Sequence, residues 1–454
     1  MDVVILAAGQ GRRMYSDLPK VLHKIGNKSL LDYVIATALK LTPTNIIIVY
    51  GHQGDTVRCH VESSFIDNKF IWVYQEQQLG TGHALKCALP HLSINGKTLL
   101  LYGDVPLVEV DSLAAMLNKY EDNIVMLSAV LDNPTGYGRV IRNNEAQIKG
   151  IVEEKDATQS ERFIKEINTG FYVLPNKYLT NWLSALSNNN SQNEYYVTDL
   201  IAMAYDEAID IDYVEANHQY SIMGVNNKLQ LEYLERILRQ QRAELLLAAG
   251  ATLIDKTRID IRGEISVGKD CIIDANCIFI GKVVLGNRVK IGAGVILHNV
   301  VIEDDSEVKP YSIIEDAQIK SNCIVGPFAR IRPGSIIEQE AHIGNFVEIK
   351  NSQIGPGSKV NHLTYIGDAE IGSGVNVGAG SVTCNYDGKN KFKTIIGDNV
   401  FVGSGTMMVA PVVLGEGGVI GAGSTITKNT PPHELTVSRA KQVTIFGWLK
   451  KKRK

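Results

Sequence analysis

VGKDCI-IDANCI-FIGKVV-LGNRVK-IGAGVI-L, residues 267–297, returns an apolar side chain every six residues, at Val267, Ile273, Phe279, Leu285, Ile291 and Leu297. Residues 396–426 keep a second frame of six at Ile396, Val402, Met408, Leu414, Ile420 and Ile426. Gly268, Gly286, Gly292, Gly397, Gly403, Gly415 and Gly421 directly follow such a residue. A helix repeats near 3.6 residues and a strand near 2, so neither explains this period. Hexapeptide repeats mark a parallel β-helix, in which each unit is a short strand plus a turn and three units make a triangular coil. The pattern predicts aliphatics pointing into a prism and glycines relaxing its corners.

Working outward, the repeats run from about residue 260 to Thr430, where Pro431-Pro432 ends them. The frame is lost once, across Cys384–Lys393. A solenoid pushes insertions out as loops, often on its binding face. The polar and basic residues around Tyr386 favour a functional loop over a decorative one. Before the repeats, Asn226–Ala249 reads as one long linker helix, capped by Asn226 or Asn227 and stopped at Gly250. The first 225 residues alternate strands (Val3–Leu6, Asn45–Val49, Thr98–Tyr102, Ile124–Val130) with helices (Ser29–Lys40, Gly82–Leu89, Asp111–Lys119). That alternation predicts an open, largely parallel α/β sheet, with ligands at the carboxyl ends of its strands. The expected divisions are 1–225, 226–250 and 251–454.

The 454 residues suffice for two or three domains. A net charge of −3 argues against a nucleic-acid binder. The basic end Lys450–Lys454 reads as a frayed, solvated tail. Six scattered cysteines without C-x-x-C spacing suit reduced thiols rather than disulfides or a zinc site. Met1 leads straight into a strand, not a signal peptide, and the apolar stretch near Leu245–Ile254 is too short to span a bilayer. A soluble, cytoplasmic protein is expected.

Leu6-Ala7-Ala8-Gly9-Gln10-Gly11-Arg12-Arg13-Met14 follows the first strand. Two glycines let a backbone bend around a ligand and turn N–H groups toward it. This is neither the dinucleotide fingerprint nor a Walker loop, and alone it is any strand-to-helix turn. Arg12-Arg13 and Pro19-Lys20 sharpen it, because cations beside a glycine turn suit a triphosphate. Tyr102-Gly103-Asp104 ends a strand. Such an aspartate either caps the next element or, beside a phosphate loop, holds Mg²⁺. Gln75 and Leu79–Ala84 precede a helix; the amide is able to pair with a base edge, or the segment is simply a helix start.

In the repeats, Arg330–Gly334 and Phe346–Lys350 precede His362–Gly367. A lone histidine on a β-helix is usually a surface or stacked residue. Here Arg, Lys and Tyr lie on successive coils and can share its face. An amine attacking a thioester must be neutral, and histidine titrates near physiological pH. The cations suit a sugar phosphate. Cys384 receives no role.

L-A-A-G-x-G-x-R-M with a nearby P-K resembles the nucleotidylyltransferases that join a nucleoside triphosphate to a sugar 1-phosphate. The whole chain resembles the bacterial bifunctional N-acetylglucosamine-1-phosphate uridylyltransferase / glucosamine-1-phosphate acetyltransferase family. That resemblance implies a Rossmann-like nucleotidyltransferase domain, a linker helix and a left-handed parallel β-helix. It assigns uridine-nucleotide contacts to Leu6, Ala7, Ala8, Gly9, Gln75, Gly80, Thr81, Tyr102 and Gly103, and phosphate-binding cations to Arg13 and Lys20. Asp104 and Asn226 become Mg²⁺ ligands, with helix capping the plainer reading of Asn226. Gly138, Glu153 and Asn168 become sugar contacts. Gln10 stands where the family often has lysine, at a variable loop position. In the repeats His362 becomes the base, with Glu348 to orient it. Arg332, Lys350, Tyr365, Asn376 and Lys391 take the amino-sugar phosphate, and Ala379, Asn385, Tyr386, Ser404, Ala422 and Arg439 take acetyl-CoA. A backbone N–H near Ala379 would support the thioester oxyanion. Substrates would be glucosamine 1-phosphate, acetyl-CoA and UTP, with Mg²⁺, in a homotrimer. Two rivals remain open: a single-activity nucleotidylyltransferase with a structural β-helix, and a non-catalytic subunit of an exchange factor.

Overall fold

The computed structural model describes residues 1–448 except Gln10 and His52; Gln10 and the basic tail therefore lie outside the described residues. Two compact units, Met1–Ile237 and Leu238–Lys454, divide within the helix Lys228–Ala248. That helix stops at Gly250, whose φ is +94°.

In the first unit the strands lie in the order Ile211–Glu215, Ile124–Val130, Glu166–Pro175, Lys97–Tyr102, Asp2–Ala7, Asn45–Tyr50, Ile71–Tyr74. Asp2–Ala7 pairs in parallel with both neighbours. Its whole run is buried because the sheet is covered on both sides: Val3 and Ile5 enter one core, Val4 and Leu6 the other. The sheet is less parallel than its sequence suggests. Glu166–Pro175 runs antiparallel to both neighbours. It is reached through the hairpin Gly138–Arg142/Ile148–Val152, not through the helical crossover a parallel strand needs. The helix Leu30–Lys40 starts where Ser29 and Asp32 close a capping box.

The second unit is a parallel β-helix. One sheet of eleven short strands runs from Thr252–Leu253 to Leu435–Thr436. A second sheet of fifteen strands covers the remaining sides; Ile313–Ile319 joins them by pairing its first half with Arg330–Ile331 and its second with Ile336–Ile337. The six-residue frame becomes one continuous core, with Phe279, Leu297, Ile349, Val402 and Ile426 among its members. Val360 pairs with Val377, Val377 with Val402 and Val402 with Ile420, so the inserted loop leaves coil register intact.

The glycines after the aliphatics serve a different purpose from the one expected. Left-handed φ angles fall elsewhere in the repeat, at Asp270, Asn276, Arg288 and their equivalents. The post-aliphatic glycines instead permit contact between coils: a Cβ on Gly403 would stand 2.4 Å from the Ala422 nitrogen. Coil spacing, not corner strain, demands glycine there. Gly403→Val should therefore cost about 1–3 kcal/mol, as overpacking does. A lowered thermal midpoint is the expected readout, and an unchanged one would contradict this reason for the glycine.

Candidate active sites

The first unit gathers its predicted residues at the carboxyl ends of adjacent strands. Leu6 pairs with Tyr102, and the Gly103 N–H donates to the Leu6 carbonyl at 2.9 Å. Leu6, Ala7, Ala8, Gly9, Lys20, Gln75, Gly80, Thr81, Tyr102 and Asp104 all line one cleft of about 230 Å³. Gly11 has a φ of +61°, and a Cβ there would stand 2.6 Å from Lys20 Cβ, so glycine lets the lysine stem pass the turn. Lys20 Nζ then reaches Asp104 Oδ2 and, at 3.2 Å, Asn226 Oδ1. Asn227, not Asn226, caps the long helix: its Oδ1 accepts from the Gln230 N–H at 2.9 Å. Asn226 is thus released to face Asp104.

Asp104 and Asn226 present hard oxygens to one cation. That donor set fits Mg²⁺, which takes few protein oxygens and fills its shell with water and substrate phosphates. Among the described residues, no group of three or more His, Cys, Asp or Glu gathers to hold a metal alone. Arg12 joins Lys20 in lining an adjoining cleft of about 340 Å³ on the glycine-turn side. Arg13 sits exposed on the short turn Arg12–Met14 and does not line that cleft.

Gly138, Glu153 and Asn168 line a further cleft, which shares Thr81 and Tyr102 with the first. Asn168 pairs with Gly138 across two strands. Its Oδ1 accepts from Tyr172 Oη at 2.7 Å and the Gly170 N–H at 3.1 Å, leaving the Nδ2 end as a donor. Burial raises the pKa of Glu153, against a hydrogen bond from Thr198 Oγ1 at 3.2 Å. Glu194, Tyr196 and Thr198 also line this cleft. Sequence reasoning missed them because no motif marks them and only the fold returns that segment to the strand ends.

In the second unit, coil pairing builds a column. Ile343, Val360, Val377, Val402 and Ile420 pair in succession. Two residues beyond each stand Asn345, His362, Ala379, Ser404 and Ala422, so widely spaced sequence positions share one edge. Arg439 joins it by donating from Nη1 to the Ala422 carbonyl at 2.6 Å. His362 Nδ1 meets Asn345 Oδ1 at 3.0 Å. An amide oxygen only accepts, so the ring proton is on Nδ1 and the lone pair on Nε2. The histidine's orienting partner is thus Asn345 and not Glu348, which instead accepts from Arg332 Nη1 at 2.8 Å.

Register also aligns Arg332 with Lys350, each one residue beyond the paired Ile331 and Ile349. The inserted loop returns to them: Tyr386 bridges Lys391, whose ammonium lies against Lys350. A hydrogen bond with Lys350, then the charge of Lys350 and, more weakly, that of Arg332, hold Lys391 below the usual lysine value. Asp368, unforeseen in the sequence, accepts from Lys350 at 3.2 Å, from Asn351 at 2.7 Å and from Asn385. Burial acts to raise its pKa, yet these bonds hold it below the ordinary carboxylate range. Three cations, Arg332, Lys350 and Lys391, against two carboxylates, Glu348 and Asp368, leave one positive charge to receive an anion. Tyr365 belongs to this sheet, through its pairing with Glu348. Asn376 does not: it lies in the eleven-stranded sheet, paired with Lys359 and Phe401.

An α/β unit with a glycine turn over a lysine–carboxylate pair, followed by a hexapeptide β-helix, defines a two-domain transferase. The MobA-like NTP transferase domain matches residues 3–163, the GMPPB C-terminal domain 261–338, and the six-repeat bacterial transferase hexapeptide 393–428. The bifunctional protein GlmU of Chromobacterium violaceum is 53% identical over 454 residues, covering 100% of this chain and 99% of that one. The chain belongs to the GlmU family and is a bifunctional enzyme, a uridylyltransferase and an acetyltransferase. That full-length match overturns the single-activity and non-catalytic readings. A putative glucose-1-phosphate thymidylyltransferase from Bacillus anthracis, in complex with a sucrose, is 19% identical with a TM-score of 0.44, covering 52% of this chain and 95% of that one. A UDP-glucose pyrophosphorylase complexed with UDP-glucose is 17% identical with a TM-score of 0.44, covering 53% and 99%. Both likenesses are too weak to bear on function. No helix among the described residues is long and apolar enough to cross a membrane.

The buried Glu153 yields a pH test. Its folded pKa lies above its unfolded one, so ionisation costs stability at neutral pH and nothing once both states are protonated. Glu153→Gln should raise the thermal midpoint at neutral pH. The gain should vanish as pH falls below about 4, the ordinary glutamate range. A gain that persists in acid would contradict burial of the charge as its source.

Proposed function

We propose that the two activities run on the two clusters described above, acetylation on the β-helix and uridylyl transfer on the α/β unit. The gathering of Arg332, Lys350 and Lys391 carries this reading, because it gives the β-helix that bears the candidate base His362 an anion site as well. Arg332, Lys350, Tyr365 and Lys391 would bind the phosphate of glucosamine 1-phosphate. His362 Nε2 would take the amine proton while Asn345 holds the ring's tautomer. The amine nitrogen then attacks the acetyl-CoA thioester, the C–S bond breaks, and the CoA thiolate leaves and takes up a proton. The Ala379 N–H stands beside His362 in the column and meets no acceptor among the described residues, which suits it to the oxyanion. Asn385, Tyr386, Ser404, Ala422 and Arg439 would hold acetyl-CoA.

N-acetylglucosamine 1-phosphate would then react with UTP to give UDP-N-acetylglucosamine and pyrophosphate. This step needs no general base, because the attacking phosphate oxygen is already ionised. Lys20 would hold the phosphates, with Arg12 on the glycine-turn side; Gly9 and Gly103 would contact the uridine nucleotide, and Gly138, Glu153 and Asn168 the sugar. Asp104 and Asn226 would hold Mg²⁺, which supplies charge neutralisation on the phosphates. Gln75 Nε2 is taken up by Gly80 and His83, so its Oε1 would accept from the uracil N3–H.

A homotrimer in the cytoplasm completes the proposal. Asn376 lies on a different sheet from its expected co-ligands, which suits a site shared between copies. Exposed rings of Tyr311, Phe328 and Phe346 stack along one edge at 5.3 and 5.5 Å, a surface fit for packing copies together. All six cysteines are free, in keeping with a reducing compartment.

Incubation with glucosamine 1-phosphate, acetyl-CoA, UTP and Mg²⁺, with mass detection of both products, tests the whole. His362→Ala should lower kcat of acetylation by about a hundredfold or more with little change in KM, and spare uridylyl transfer. Asp104→Ala should abolish pyrophosphate release and spare acetylation. Loss of both activities in either variant would refute two separate sites. Sedimentation at micromolar concentration should show a trimer, and a monomer with full acetyltransferase activity would rule out sharing.

A further inference from the structure

Gln75 and His83 form a pair at the wall of the nucleotide cleft. Gln75 is 3% exposed. Its Nε2 donates to the Gly80 carbonyl at 3.2 Å and meets His83 Nδ1 at 3.0 Å. A carbonyl only accepts, so Gly80 identifies the NH₂ end of the amide without ambiguity. That group has two hydrogens. The second points at His83 Nδ1, which must then carry the lone pair, with the ring proton on Nε2. Nε2 faces Cys87 Sγ at 3.9 Å. Burial lowers the pKa of His83, with the Gln77 carbonyl opposing and Lys86 adding to the effect. A neutral ring is what an acceptor at Nδ1 requires.

A glutamine alone does not discriminate between pyrimidines. Rotated one way it offers an oxygen, and rotated the other way an NH₂. Uracil presents N3–H, whereas cytosine presents a lone pair at the same position. Discrimination needs something that forbids rotation. Here two internal acceptors, one from the backbone and one from the first turn of the helix Thr81–Ala88, hold the NH₂ end inside. Only Oε1 is left for the cleft.

We propose that His83 is a positioning residue that sets nucleobase selectivity, by clamping Gln75 so that it presents an acceptor to the base and favours uracil over cytosine. This rests on the reading of Gln75 as the base contact. Nothing else about His83 suits it to the chemistry. It lines none of the clefts described above.

The test compares kcat/KM for UTP and CTP, with N-acetylglucosamine 1-phosphate as co-substrate, in the full-length protein. His83→Phe keeps a flat ring without an acceptor and should lower the UTP/CTP ratio by about tenfold or more, mainly through KM for UTP. His83→Asn places an amide oxygen near the position of Nδ1 and should restore most of the ratio. If His83→Phe does not fold, His83→Leu replaces it. Equal loss toward both nucleotides, with the ratio kept, would make His83 merely structural and overturn the proposal. So would an Asn variant no more selective than the Phe variant. Gln75→Ala separates the two layers. If it lowers the ratio while His83→Phe does not, only the clamp is wrong. If it leaves the ratio unchanged, Gln75 is not the base contact and the proposal falls with that reading.

Discussion

Parallel hydrogen bonding between consecutive coils is the constraint on which the acetyl-transfer half depends. Strands in such a stack sit about 4.8 Å apart. One residue per coil therefore falls on each edge, at a spacing set by the backbone rather than by rotamers. Asn345, His362, Ala379, Ser404 and Ala422 form a straight row for this reason. The aliphatic interior holds the stack together, since each buried Ile, Leu or Val is worth about 1.5–3 kcal/mol. Gly403 and its equivalents let the coils approach that closely. His362, the Asn345 amide and the Ala379 N–H are thus held in place with little left to side-chain motion.

The insertion shows how such a rigid frame acquires chemistry. Because Val377 and Val402 still pair, the extra residues leave the prism undisturbed. They fold outward and back, carrying Lys391 onto Lys350 and Asn385 onto Asp368. The result is electrostatically unfinished. Three cations repel one another, and two carboxylates, Glu348 on Arg332 and Asp368 on Lys350, offset only part of their charge. An anionic group in that place would relieve the repulsion.

The α/β half solves a related problem by other means. Its glycine turn and its carboxylate follow the ends of two neighbouring strands, so sheet register brings them together, and Lys20 reaches them from the short turn Lys20–Leu22. Lys20 stands between Asp104 and Asn226, where a cation of either kind satisfies both oxygens. Burial of Glu153 runs against stability at neutral pH, as any carboxylate kept from water must. Gln75 shows the same economy: its specificity resides in partners the ligand does not touch.

The period of six, the α/β alternation and the long helix were legible in the sequence because each depends on local spacing of apolar residues. The glycine turn, Asp104 at a strand tip and His362 near basic residues were legible as residue types suited to a chemistry. Position along the chain could not tell whether Asn226 or Asn227 caps the helix. A hydrogen bond from Gln230 decided it. Nor could it pair His362 with Asn345 rather than Glu348, since all three lie within a few residues of plausible contact. Coil register decided that, by placing Asn345 beside His362 and sending Glu348 to Arg332. Asp368, Glu194 and the Gln75–His83 clamp carry no motif. They owe their roles to neighbours distant in the chain or to the direction of a buried amide. Periodicity is a property of the chain and survives in one dimension. Which donor meets which acceptor is a property of packing and exists only once the chain has folded.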